Sequence, residues 1–376
     1  GDTVRILIQE CKKMLSVRLL LLLALFTVLF YNMFFELNLY PAGGQCTDSP
    51  YDMPYAAKLI RKYGSTLPVT EKGKIEKEVE DLKKQSTKLI REDSALIKAG
   101  ISDFDTMMKE RDRLTDYTDE QMSEKEQKEK EAIMDFTSFE TEGEKIMFQI
   151  QYANSLLDDF ALTDRPEVNL LRSGALYILQ TDMSKMPVMI LICYAVLLVA
   201  YHVRERIRGV MPLYSTTKTG REIYPIQYLG GFICCLIIGV LQLLAYTIVW
   251  YAKGMGIFWQ CPAWETRGIE CWIKGISFGQ YMGIYEILVL LFCIAAMALI
   301  YGLARLAQGY ITGVVLSIPG CVITGAAGSV IFEGLCSSFN MFSMKMWELY
   351  ALTGCVVLAV LVVYFRLRWD EKRDIL

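Results

Sequence analysis

The sequence offers few residues that could carry out acid–base or metal chemistry. Its single histidine is His202, and it has no Cys-x-x-Cys pair, so the spacing of a zinc site is absent. There is also no Gly-x-x-x-x-Gly-Lys-Ser/Thr loop that could cradle nucleotide phosphates. His202 stands at the end of an apolar run, where we expect its ring to anchor at a membrane interface. We therefore predict a chain that is not an enzyme and holds no metal or cofactor of its own.

Two carboxylates fall in apolar stretches, where a charge is costly. Glu286 lies one to two turns inside a predicted span, and Glu333 lies at the end of another. A carboxylate at such depth faces the interior of a helix bundle, pairs or takes up a proton, and then marks a functional site. A shallower carboxylate reaches headgroup water and needs no such role. Both interpretations stay open for Glu286 and Glu333.

Most of the eleven cysteines lie in apolar runs and are predicted to be small buried hydrophobic residues. Cys261 and Cys271 differ, because they stand ten positions apart in a predicted outer loop. A disulfide there would suit an oxidising exterior, and two separate thiols are the alternative. The tryptophans of this loop are predicted to anchor at the membrane interface.

The elements that must position these residues are predominantly membrane helices. Hydrophobic residues make up 53% of the 376 positions, which is too apolar for an ordinary soluble domain. About 20 helical residues cross a hydrocarbon core. We predict an all-α membrane protein with an amphipathic surface helix over 1–16, which places Val4, Leu7 and Ile8 against lipid and Glu10 away from it. The predicted spans are 17–36, 186–203, 229–250, 281–304, 311–331 and 347–365. A cleaved signal peptide is the alternative for the first.

Basic residues near the span ends indicate the orientation, because Lys and Arg favour the cytoplasmic side. They precede the first span, fill the segment 204–228, separate the fourth and fifth spans, and follow the sixth. With six spans all these clusters fall on one side. We therefore expect a multi-pass protein with both termini cytoplasmic, with 37–185, 251–280 and 332–346 outside. The net charge of −3 gives no indication of a nucleic-acid partner.

Region 37–185 has a soluble composition. Ile75, Val79 and Leu82 recur at helical spacing and predict one face of a charged helix that Gly100 ends. Two further helices are predicted over 104–114 and 119–160. The domain is therefore expected to be a helical hairpin or small bundle.

The fifth predicted span contains helix-modifying residues. Pro319 removes a backbone donor, so a kink or break is expected at Pro319 and Gly320. Gly325 and Gly328 allow close approach of a neighbouring helix. Close packing and a hinge that moves during transport are both consistent with this composition.

The segment between the second and third spans carries a recognisable pattern. Its matching residues are Glu205, Gly209, Leu213, Tyr214, Ser215, Thr216, Gly220, Arg221 and Ile223. Together with six spans and a large outer insertion, the pattern resembles the ABC-2 type permeases of bacterial ABC transporters, and the outer region is similar to that of Gram-positive, clostridial-type members. Thr217 stands where this family often has proline.

The resemblance implies a bacterial cell-membrane permease that pairs with a second permease, identical or homologous, and with ATP-binding subunits that carry ATP and Mg²⁺. It also implies that 204–228 is a coupling segment seated on the ATPase. The coupling residues would be Arg204, Glu205, Gly209, Leu213, Tyr214 and Arg221. The expected function is export of an amphipathic peptide or lipid-like substrate, as in antimicrobial peptide resistance. A membrane-anchored sensor or scaffold, whose outer helices bind a ligand or partner, is the alternative.

Overall fold

The computed structural model describes residues 2–39, 52–115, 122–138, 141–162, 166–171, 173–209, 223–263, 275–336 and 347–372. The helices in chain order are α1 Asp2–Met14, α2 Val17–Phe34, α3 Glu36–Leu39, α4 Asp52–Tyr63, α5 Lys72–Glu92, α6 Ser94–Lys98, α7 Phe104–Thr115, α8 Glu124–Phe136, α9 Glu142–Leu162, α10 Ser173–Ile207, α11 Ile223–Ala252, α12 Phe278–Leu306, α13 Tyr310–Cys336 and α14 Trp347–Lys372. Short 3-10 helices cover Val69–Glu71 and Met255–Phe258. Strands β1 Thr66–Pro68 and β2 Glu167–Asn169 pair antiparallel, with Leu67 opposite Val168.

Six of these helices are long and apolar enough to cross a membrane. They are α2, α10, α11, α12, α13 and α14. They belong to a compact unit formed by Gly1–Ala42, Ala175–Trp259 and Ala263–Leu376, which we call the membrane unit. The most deeply buried of the six is α10, and it provides much of the core of this unit. The coarse prediction of an all-α protein with six apolar spans is confirmed.

The second predicted span is longer in the structure than in the sequence analysis. The helix α10 begins at Ser173, whereas the prediction placed the start of the span at residue 186. Asp182 and Lys185 made the preceding stretch look soluble. In the structure Asp182 accepts hydrogen bonds from the backbone N–H groups of Glu36 and Leu37, and Lys185 pairs with Glu36 at 3.3 Å. Neighbours such as Ile178 and Met183 are fully buried. The flanking membrane helices also reach into the predicted coupling segment 204–228, because α10 runs to Ile207 and α11 begins at Ile223.

The second unit comprises Gly43–Gly174 and Gln260–Pro262. Its longest helices are α5 and α9, and the predicted stripe of Ile75, Val79 and Leu82 is buried on α5. That helix ends earlier than predicted. Asp93 stops it and caps α6 by accepting hydrogen bonds from the backbone N–H groups of Ala95 and Leu96.

The predicted helix over 119–160 is two helices, α8 and α9. Ser123 and Glu126 form a capping box at the start of α8. Arg113, near the end of α7, donates a 2.8 Å hydrogen bond to Glu126. This bond, with further bonds from Ser123, lowers the pKa of Glu126 to about 2. The charged residues of this stretch therefore join α7 to α8 as well as facing solvent.

Candidate functional site

The short helix α1 is attached to the candidate membrane helices by a buried carboxylate. Glu10 is only 3% exposed, and its Oε2 accepts a hydrogen bond from the hydroxyl of Tyr201 on α10. On the other side, α1 packs against α11 at Gly230. A Cβ atom built there would lie 3.6 Å from the Glu10 Cβ. Glu10 therefore fixes α1 against two of the candidate membrane helices.

Lys13 extends this contact to the end of α10. Its Nζ lies 2.7 Å from Glu10 Oε1 and 3.7 Å from Glu205 Oε1. Arg204 completes the link by donating a 3.2 Å hydrogen bond to the main-chain oxygen of Lys13. We call Glu10, Lys13, Tyr201, Arg204 and Glu205 the α1 latch. It contains two buried carboxylates and two cations, so its charges are compensated within the membrane unit.

The latch buries a residue of α1 that the sequence predicted to face water. The prediction placed Val4 and Ile8 against lipid and Glu10 away from it. In the structure Glu10 is buried, whereas Val4 is 59% and Ile8 50% exposed. The reason is tertiary, because Tyr201 and Lys13 provide partners that make burial of the carboxylate favourable.

The predicted coupling residues fall into two groups. Arg204 and Glu205 lie in the last turns of α10, and Glu205 is only 3% exposed and points to Lys13 rather than to open solvent. Gly209 follows the helix with a φ of +67°, a left-handed conformation that favours glycine. Leu213, Tyr214 and Arg221 lie outside the described residues. The structure therefore assigns Arg204 and Glu205 a place in the latch, and their coupling role stays a prediction.

The sequence predicted that His202 anchors at the membrane interface, but in the structure its side chain is buried. It is 2% exposed and lies between the rings of Tyr201 and Tyr301, at centroid distances of 5.1 and 4.7 Å. Neither ring nitrogen has a hydrogen-bond partner among the described residues. Nearby, Arg206 donates a 2.9 Å hydrogen bond to the main-chain oxygen of Arg305 at the end of α12. The ends of α10 and α12 are thus joined around an aromatic cluster that encloses the histidine.

A second buried carboxylate, Asp182, was missed by the sequence analysis. Asp182 is fully buried on α10 and accepts hydrogen bonds from the backbone N–H groups of Glu36 and Leu37, at 2.7 and 3.1 Å. The hydroxyl of Tyr246 donates a third bond at 3.0 Å. Asp182 therefore caps the start of α3 and ties it to α10 and α11. The available signal was a short polar stretch around Asp182 that lies between the apolar runs 175–179 and 186–200.

The predicted intramembrane carboxylates have different environments. Glu286 on α12 is half-buried, and its Oε1 accepts a 2.6 Å hydrogen bond from the hydroxyl of Thr247 on α11. Its carboxylate thus has a partner on the neighbouring helix. The Glu333 side chain is exposed, while its main-chain oxygen accepts a 3.3 Å bond from Gln180. A functional role for either residue stays a prediction.

The helix break expected at Pro319 and Gly320 is absent, because α13 continues through both residues from Tyr310 to Cys336. The closest approach of α13 to α10 lies farther along, at Gly325 and Gly328. A Cβ on Gly325 would lie 2.7 Å from Val188 Cγ2, and one on Gly328 would lie 3.1 Å from the Pro187 Cβ. These glycines allow close helix packing, the first of the two uses that the sequence left open.

Cys261 is buried, and burial raises the pKa of its thiol to about 12. Cys271 lies outside the described residues, so a bridge between the two stays a prediction.

A Gly-x-Ser-x-Gly pentapeptide, the pattern of a nucleophilic serine, spans Gly275 to Gly279 and escaped the sequence analysis. In the structure Ser277 caps α12 in a capping box with Gln280. The single histidine of the chain contacts Tyr301, near the opposite end of α12. At about 1.5 Å per helical residue along α12, His202 lies some tens of ångströms from Ser277. The pentapeptide is therefore a helix start without a histidine base.

Among the residues that the structure describes, no group of three or more His, Cys, Asp or Glu side chains is placed to hold a metal ion. No protein-family model, curated protein or solved structure matches the chain. The inference about function therefore depends on the six apolar helices and on the contacts of the α1 latch.

Proposed function

We propose that the chain is the membrane-spanning permease subunit of an ABC transporter. In this proposal it exports an amphipathic peptide or lipid-like substrate with ATP hydrolysed by a separate subunit. The support is the combination of six apolar helices with the Arg204–Ile223 pattern, which resembles the coupling region of ABC-2 type permeases. A second permease subunit would complete the pathway.

The α1 latch is the observation that carries the proposal. A coupling segment must transmit a push from the ATPase to the helices that line the pathway, which requires a contiguous physical link. Arg204 and Glu205 lie in the last turns of α10, shortly before Gly209, and both contact Lys13 of α1. A displacement of 204–222 would therefore move α10 and α1 together.

The proposed arrangement places both termini and the latch on the cytoplasmic side of a bacterial cell membrane, with residues 43–174 outside. This follows from the basic residues near the helix ends. The exposed charged surfaces of α5 and α8 suit a domain in water. ATP and Mg²⁺ would bind the partner subunit.

The test is reconstitution with any Walker A ATPase that a neighbouring gene proves to encode. We expect the two proteins to co-purify and the ATPase rate to rise in vesicles containing both. Leu213→Asp should lower that stimulated rate roughly tenfold, because allosteric coupling is typically about 1–3 kcal/mol. Lys98→Asp, which introduces the same side chain on exposed α6, should leave the rate unchanged.

Two results would contradict the proposal. One is the absence of any ATPase that binds the intact chain. The other is an equal loss of stimulated rate in Leu213→Asp and Lys98→Asp. The first result would favour the sensor or scaffold, whose outer helices would then be screened for a ligand.

A further inference from the structure

Charges on α1 and the first turn of α2 are separated by sign. The carboxylate of Glu10 is buried in the α1 latch, and so is that of Glu205. Arg5, Lys12 and Arg18 are exposed, and they are the exposed charged side chains among residues 3–20. The latch therefore leaves a surface with basic charge and no exposed carboxylate within that range. We call these three residues the basic α1 face.

Exposed apolar side chains adjoin the basic α1 face. Val4 and Ile8 are one helical turn apart, and Arg5 and Lys12 are two turns apart, so they form neighbouring strips on α1. The apolar strip continues after the two-residue connection to α2, where Val17 is 73% exposed and Leu21 is 66% exposed. Leu21 lies on the exposed face of α2, a helix that is apolar enough to span a membrane.

We propose that the basic α1 face binds the headgroups of anionic phospholipids. An interfacial helix buries apolar side chains at the acyl boundary and presents Lys and Arg to headgroups, which is the arrangement of α1. A protein partner is less well matched, because the apolar strip runs directly into the lipid-facing stripe of α2. Charge complementarity then selects anionic over zwitterionic headgroups.

The latch gives this selectivity its structural basis. If Glu10 faced outward, its charge would lie beside Arg5 and Lys12 and repel an anionic headgroup. Burial of Glu10 against Tyr201 removes that repulsion and fixes the rotation of α1. The inference depends on these contacts and does not require that the chain be a permease.

The experiment is native mass spectrometry of the full-length protein in detergent. It is titrated separately with dioctanoyl phosphatidylglycerol, dioctanoyl phosphatidylcholine and glycerol phosphate. We expect phosphatidylglycerol to bind in preference to phosphatidylcholine, and glycerol phosphate not to bind. Each basic residue near an anionic surface contributes about 1 kcal/mol, or roughly fivefold. The triple variant Arg5→Gln/Lys12→Gln/Arg18→Gln should therefore reduce the preference on the order of 100-fold, and added salt should reduce it in the parent.

The matched control is Lys77→Gln/Lys88→Gln/Lys98→Gln, which removes three exposed charges from α5 and α6. It should keep the parental preference. Thermal unfolding of both variants checks that they remain folded. The inference fails if the α1 variant keeps the preference, or if the control loses as much. It also fails if the α1 variant keeps its lipids and instead loses a co-purifying protein, since the basic α1 face would then be the binding surface for that protein.

Discussion

At the scale of single residues, two carboxylates organise the membrane unit by accepting hydrogen bonds in buried positions. Glu10 attaches α1 to α10, and Asp182 attaches α3 to α10 and α11. Each has donors close enough to compensate the loss of water. An unpaired buried carboxylate would be strongly unfavourable. Removing either side chain therefore lowers the free energy of unfolding by more than the net contribution of its hydrogen bonds, because the donors stay buried without an acceptor.

Replacing Glu10 by Ala should destabilise the protein by about 1–3 kcal/mol, since Tyr201 and Lys13 lose a buried acceptor. Glu10→Gln should have a smaller effect, because an amide oxygen can still accept from Tyr201. Thermal unfolding in detergent, followed by tryptophan fluorescence, measures the difference. Gln9→Ala, at an exposed position of the same helix, is the control and should change stability by less than about 0.5 kcal/mol. Equal midpoints for Glu10→Ala and Gln9→Ala would show that the latch contributes nothing.

Replacing Asp182 by Ala should cost about 3 kcal/mol or more. Two backbone N–H groups and the Tyr246 hydroxyl lose their acceptor together, and hydrogen bonds to a charged group contribute about 1.5–3 kcal/mol each. Glu333→Gln, which alters an exposed carboxylate, is the matched comparison. We expect chemical denaturation to separate the two variants clearly, and an Asp182→Ala protein as stable as Glu333→Gln would contradict the capping role.

At the scale of elements, the contact between α10 and α13 depends on two glycines, whose lack of a side chain lets the helices approach closely. Gly325 faces Val188, and Gly328 faces Pro187 and Phe292. Ser329 adds a 2.5 Å hydrogen bond from its hydroxyl to the main-chain oxygen of Ser184. The proline on α10 is thus supported by packing and a polar contact from the neighbouring helix.

Adding a methyl group at this contact should therefore be unfavourable. Gly325→Ala places a Cβ 3.1 Å from the Val188 Cα, which is backbone and cannot rotate away. Overpacking of this kind costs about 1–3 kcal/mol. Gly283→Ala is the control, since nothing lies within 4 Å of a Cβ at that position of α12. Thermal unfolding should show a loss for the first variant and no loss for the second, and the opposite order would contradict the proposed close approach.

At the scale of the whole molecule, the chain divides into a unit with six apolar helices and a unit of charged helices. The first exposes apolar side chains on α2, α13 and α14, while the second exposes charge on α5 and α8. The proposed topology places the charged unit outside the cell and the basic α1 face inside.

Labelling with a membrane-impermeant maleimide tests this topology. In intact bacteria a cysteine at Lys77→Cys should react, because this residue is exposed on α5. A cysteine at Lys12→Cys should react only after the membrane is opened. The parent chain sets the background from its native thiols. Reaction of Lys12→Cys in intact cells, with none for Lys77→Cys, would invert the proposed orientation.

Much of the architecture could be predicted from the sequence, and the misses have specific causes. The stripe of Ile75, Val79 and Leu82 marked α5, because burial of one helix face follows from spacing alone. The predicted end of that helix, at Gly100, was wrong, because Asp93 ends α5 and caps α6. Arg204 and Glu205 could be selected from the sequence as predicted coupling residues, but nothing in their spacing indicated that Lys13, far away in the chain, would contact both.

Hydropathy by itself determined that six segments are apolar enough to cross a membrane, since the length of such a segment is a local property. Tertiary structure alone decided which polar residues are buried. Glu10 seemed a solvent-facing residue and Asp182 part of a soluble region, yet both lie inside the membrane unit. The physical reason is that the cost of burying a charge depends on its partners. Tyr201, Tyr246 and the backbone of α3 become partners only when the helices pack together.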